Sequence, residues 1–259
     1  MIHLLLLGLV AHFVGDFLLQ TGAMAAAKKA GRFWAHFRHG LLIMILTWLA
    51  THCFGLWAAF LYALLVGLTH FLIDSTKCCL EKGKSAGTQL LLFLLDQALH
   101  WLSLLVFLPL FPAAVPDPQV LAFYRRFRPV QPVFSPAFPA AFSSLSLEKS
   151  LWIIVIYLAA VFGGAIFTKR VLAWLTDNHQ GERDRRLSSA IGIMERLILI
   201  TLVAADAISA MGFVLAAKSL ARYQELNNRE FAEYYLVGTL TSFTLALFAG
   251  LWLRAILQK

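Results

Sequence analysis

Three acid–histidine pairs, each spaced one helical turn apart, lie within strongly apolar stretches: His12 with Asp16, His70 with Asp74, and Asp96 with His100. His39 opens a fourth such stretch. Residues four apart share one face of a helix, so each pair aims an imidazole and a carboxylate in the same direction. These ligand types suit zinc, manganese or iron, and bridging carboxylates hold two metals about 3.5–4 Å apart. Three His and three Asp, with His39 added, exceed what one tetrahedral zinc requires. The expected cofactor is therefore two or more divalent ions, zinc first, with manganese or iron as alternatives. A charged group at mid-bilayer costs roughly 2.5–3.5 kcal/mol on insertion scales, so this many ionisable groups need a reason to be there. A lone His–Asp pair could simply be a polar contact between helices, worth ~0.6 kcal/mol on average. Three pairs and His39 at one level fit that description poorly.

The surrounding sequence is 60% hydrophobic and 14% charged. Soluble domains run about 25% charged, and repeated apolar runs near 20 residues argue for membrane-spanning helices. The expected fold is an all-α, polytopic integral membrane helical bundle of about seven transmembrane helices. The spans fall near Ile2–Gln20, His39–Phe54, Leu56–Lys77, Gln89–Phe111, Ser150–Thr168, Ser188–Ala216 and Tyr235–Leu257. The N-terminal run carries His12 and Asp16 and lacks a basic leader, so it reads as a retained first helix. One interfacial amphipathic helix is expected near 217–233. The whole of 1–259 reads as a single membrane domain. It has a four-helix half over 1–112, a proline-rich loop over 113–148, and a three-helix half over 149–259, and every proline lies between Pro109 and Pro139.

Lysines and arginines between the runs favour an outside N-terminus and a cytoplasmic C-terminus, although Arg125, Arg126 and Arg128 oppose that bias. In this topology the His and Asp residues of four helices reach one level, within about 17 Å of the inner boundary at ~1.5 Å per residue. Glu195 and Arg196 on the sixth span match that depth. The net charge of +8 belongs to topology and anionic headgroups, so membrane lipids are expected partners and nucleic acid is not. Cys53, Cys78 and Cys79 show no CxxC spacing and imply no disulfide framework. His3, His52 and His179 fall at helix ends or in loops and receive no role. His36 could replace His39 as a ligand, and Asp206 suits an outer cation such as Lys218.

The segments HFVGDFLLQ (12–20), THFLIDSTK (69–77) and LLDQALH (94–100) resemble a bacterial inner-membrane family catalogued as domain of unknown function 3307. The likeness extends into GIMERLILI (192–200), MGFVLAAKSLARY (211–223) and EYYLVGTLTSF (233–243). It implies a bacterial inner-membrane location and no particular activity. In ligand pattern alone the chain also resembles membrane-bound metal-dependent hydrolases and the zinc-dependent phospholipase C fold, and such patterns can converge.

The function expected from the residues is metal-dependent hydrolysis of a phosphoester or ester in a lipid or lipid-linked substrate near the cytoplasmic leaflet. His12, Asp16, His39, His70, Asp74, Asp96 and His100 would hold the metals, which activate water for attack. Glu195 is the candidate base, and Lys77 or Arg196 would take an anionic headgroup. Two readings compete: a metal-ion or proton transporter using the same cluster, and a noncatalytic partner of a soluble protein docked on Arg183, Arg185 and Arg186.

Overall fold

Apolar runs punctuated by short polar turns leave little choice but helix, since in hydrocarbon the backbone must satisfy its own hydrogen bonds. The computed structural model describes residues 1–111, 116–126, 146–176 and 182–258. No strand occurs among them. The chain is all-α and polytopic, with six described helices long and apolar enough to cross a membrane: α1 (Ile2–Leu19), α3 (Phe33–Phe54), α4 (Leu56–Glu81), α5 (Ala86–Leu110), α7 (Leu147–Leu175) and α10 (Arg229–Leu257). The other helices are α2 (Gly22–Lys29), α6 (Pro118–Arg126), α8 (Glu182–Ala204) and α9 (Ala210–Ala221). They form two compact units, Met1–Leu80 with Leu95–Trp152, and Glu81–Leu94 with Ile153–Lys259.

In the first unit, Leu4, Ile43, Tyr62, Val66, Leu104 and Phe111 form a buried apolar cluster. The Tyr62 hydroxyl donates to the Leu104 carbonyl at 3.1 Å, which lets a phenol be fully buried. The helices approach closely where side chains are absent. A Cβ on Gly67 of α4 would lie 2.7 Å from Met44 Cβ of α3, and one on Gly40 would lie 3.1 Å from the Gly67 carbonyl oxygen. A Cβ on Gly15 of α1 would collide with Ile43. Small residues at membrane helix contacts permit such approach, and here they adjoin His39, Asp16 and the turn before His70. Large side chains such as Trp34, Leu49, Leu68, Leu72 and Leu102 are exposed, while His12, His39, His70, Asp74, Asp96 and His100 are buried. That inversion of the soluble pattern suits a lipid surround.

Several boundaries differ from the sequence expectation. The α3 helix begins at Phe33, so His39 lies inside it rather than at its start; aromatic residues at 33, 34 and 37 carry the helix outward. The run Ser188–Ala216 is broken into α8 and α9 around Asp206, which adopts a left-handed φ of 61°. Aspartate tolerates that conformation better than most residues. Asp206 pairs with Arg254, not with Lys218. The stretch 217–233 is not one amphipathic helix. It comprises the end of α9, a tight turn at Glu225–Asn227 and the start of α10, where Asn228 Oδ1 accepts from the Phe231 N–H at 3.0 Å. Within the proline-rich segment, Pro118 starts α6, where a missing N–H costs nothing. Of that expected loop, 113–115 and 127–145 lie outside the described residues, as do His179 and the side chains of Arg183, Arg185 and Arg186.

Candidate metal centre

Four helices of the first unit deliver His12, Asp16, His39, His70, Asp74, Asp96 and His100 to one buried cluster. Each of the four imidazoles is 2% exposed or less. The turns of α1 over Val14–Leu19 are π-wound, and Asp16 sits in them. Such wide turns recur at functional sites, and this one turns Asp16 toward the neighbouring helices. Its Oδ1 lies 2.9 Å from His39 Nε2 and 3.2 Å from His70 Nε2, whereas His12, its partner one turn away, is 3.8 Å from Oδ2. On α4, His70 is likewise 3.8 Å from Asp74, and on α5 His100 is 3.3 Å from Asp96. The one-turn spacing therefore aims His12, Asp16, His70 and Asp74 at neighbouring helices more than at their own partners, whereas His100 stays closest to Asp96. The His70 and His100 rings stack with centroids 3.8 Å apart and planes 13° from parallel.

The sequence reading assigned no role to two residues that complete the cluster. Lys28, from the surface helix α2, donates to Asp74 Oδ2 and, at 2.7 Å, to Gln20 Oε1. It is the buried residue of an otherwise accessible helix. Its sequence signal was the Thr21 cap and alanine run, which make 22–29 helical; Thr21 Oγ1 accepts from the Met24 N–H at 3.2 Å. Gln97, beside Asp96, places its amide 3.4 Å from both Asp16 Oδ2 and His12 Nε2. An amide within an apolar span was the signal there. Lys77 Nζ donates to Asp96 Oδ2 at 2.9 Å. His36 points elsewhere, 3.3 Å from the Lys28 carbonyl.

Several donor atoms of the cluster are left over. Both His100 ring nitrogens, His70 Nε2, His39 Nδ1 and Asp96 Oδ1 are buried without a hydrogen-bond partner. The short approaches of His70 to Asp16 and of His100 to Asp96 lack hydrogen-bond alignment, so these atoms converge without satisfying one another. Leaving such groups unmade is costly, and bound ions would take up His70 Nε2, Asp96 Oδ1 and one nitrogen of His100. Three overlapping sets, His12–Asp16–His70, His39–His70–Asp74 and Asp74–Asp96–His100, each place ligand atoms within 4.8 Å of one another. Imidazole and carboxylate at these distances fit a divalent transition ion.

Residues 4–121 match the family described as protein of unknown function, DUF3307. The DUF3307 match runs from within α1 through α5 and so contains every residue of the cluster. It ends before the segments at 192–200, 211–223 and 233–243, to which the sequence resemblance had been extended. No curated protein and no solved structure matches the chain.

Glu195 and Arg196, expected at the same centre, belong to the second unit and have partners there. Glu195 Oε2 accepts from Lys218 Nζ at 2.6 Å. The Arg196 guanidinium donates twice to the Val161 carbonyl, at 3.1 and 3.0 Å, and once to Ser242 Oγ at 3.1 Å. Val161 lies in a π-wound turn of α7, Leu158–Gly163, where the backbone ladder is altered and a carbonyl can take a side-chain donor.

Proposed function

We propose that this chain is a membrane-embedded, metal-dependent hydrolase acting on a phosphoester or ester of a lipid or lipid-linked substrate. Its site would lie near the cytoplasmic leaflet of a bacterial inner membrane, with the N-terminus outside. The observation that carries this reading is the convergence of His70, His100 and Asp96 donor atoms that are buried yet satisfy no hydrogen bond. His12, Asp16, His39, His70, Asp74, Asp96 and His100 would hold two or more divalent ions, zinc before manganese or iron. When bound, such ions polarise the scissile group and supply an activated water. Within the chain, Asp16 serves as the hub that orients His39 and His70, and Gln97 holds Asp16 and His12 together. Lys77 holds Asp96 in place and stands ready for an anionic headgroup. Water would add to phosphorus or carbonyl carbon, the bond to the ester oxygen would break, and the proton given up by the water would pass to that departing oxygen.

The test is hydrolysis by purified protein in mixed micelles, with phosphatidic acid and bis(p-nitrophenyl) phosphate as substrates and zinc or manganese added. Turnover that needs metal and vanishes in Asp16→Asn is expected. Metal-loaded wild type with no turnover on these or on a short-chain ester would count against hydrolysis. A second reading, a cation or proton carrier, draws on the two carboxylates that already hold an ammonium, Asp74 and Asp96. Uptake of metal or protons into proteoliposomes would distinguish it.

A further inference from the structure

The charges of the cluster bear on what else must bind there. Asp16, Asp74 and Asp96 contribute three carboxylates, and Lys28 and Lys77 two ammonium groups, all with side chains at most 16% exposed. With neutral imidazoles the set is one negative charge from balance. One divalent ion takes it to one positive charge, and two ions take it to three. Uncompensated charge inside an apolar bundle is strongly disfavoured. Either the lysines leave or anions enter with the metal, hydroxide from the activated water offsetting one charge and leaving a two-ion site still two positive charges from balance.

Their placement favours the anion. Lys28 is fixed by Asp74 and Gln20, and its backbone carbonyl lies near His36 Nε2. Two of its three ammonium protons are used by these acceptors, and a third is left. On α2 the neighbouring Lys29 is exposed, so α2 presents one lysine to the centre and one to the surroundings. Lys77 stands three residues beyond Asp74 on α4 and donates to Asp96 Oδ2 at 2.9 Å. Resting on the metal-site reading above, we infer that Lys28 and Lys77 form an anion subsite beside the ions, and that the substrate is a phosphoester rather than a carboxylic ester. A phosphodiester monoanion balances the cluster with one ion, and a phosphomonoester dianion offsets most of the charge of two. A neutral carboxylic ester brings no charge to the bound state and leaves the net positive charge of the metal-loaded cluster unchanged.

Inorganic phosphate is the probe. Its binding to the full chain in detergent would be measured by equilibrium dialysis, with and without zinc or manganese, and metal content determined on the same samples. Wild type should bind phosphate only when metal-loaded. Lys28→Gln and Lys77→Gln should keep their metal and weaken phosphate binding at least tenfold, Lys28→Arg should restore most of it, and Lys29→Gln should change nothing. Metal-loaded wild type that ignores phosphate, or Gln variants that bind it as well as wild type, would overturn the subsite and leave the metal centre standing. Wild type that takes up no metal would overturn both.

Discussion

Nε2 of His39 on α3 lies 2.9 Å from Oδ1 of Asp16 on α1, with the surface helix α2 between them in the chain. This contact joins two helices through groups that hydrocarbon would otherwise exclude, and Gly15, where a Cβ would collide with Ile43, makes the approach possible. The α2 connection then returns Lys28 to Asp74 on α4, so three helices and their linker are fastened at one buried point.

Breaking the Lys28–Asp74 pair should be more damaging than removing it. Asp74→Asn and Lys28→Met alone each leave a buried partner unpaired, and each should cost about 3–5 kcal/mol. The double variant should cost clearly less than their sum. Unfolding midpoints in a mixed-detergent titration give the cycle, and simple additivity would show that the pair is not coupled.

The α3–α4 contact should be intolerant of a methyl group. In Gly67→Ala the new carbon would meet Met44 Cβ at 2.7 Å, and relieving that contact should cost about 1–3 kcal/mol and loosen the His39–His70 pairing. Gly212→Ala, with nothing within 4 Å of the added atom, is the control. Thermal midpoints should fall for the first variant and hold for the second.

His36 and His39 are distinguishable. His39→Gln should reduce bound metal, whereas His36→Gln should keep it, because His36 faces the Lys28 carbonyl. Equal losses in both would place His36 among the ligands.

In the second unit, Arg196→Ala strands the Val161 carbonyl, and destabilisation of about 1–3 kcal/mol should follow. Arg196→Lys should recover only part of it, because an ammonium cannot reproduce the planar fork. The same unfolding titration reads both variants.

The seven acid and histidine residues were legible because an ionisable group inside an apolar run stands out, and one-turn spacing fixes its direction. Lys28 was not legible, since a lysine between spans has a sufficient explanation in membrane topology and only the fold shows α2 turning it inward. The boundary of α3 was hidden for a similar reason: Arg38 and His36 look like loop residues until the aromatic face at 33, 34 and 37 is counted. The break at Asp206 lies in an apolar run with no Gly or Pro at the bend, so hydropathy gave no sign of it. That the donors of His70 and His100 approach carboxylates without bonding to them is a matter of orientation, which no spacing rule contains.

The most direct test of the metal centre is metal content by plasma mass spectrometry on detergent-purified protein, comparing wild type with Asp74→Ala and His100→Ala. Two or more equivalents of zinc or manganese in wild type, falling sharply in both variants, is the predicted result. A folded wild type that holds no metal, even after incubation with zinc, manganese and iron, would contradict the account.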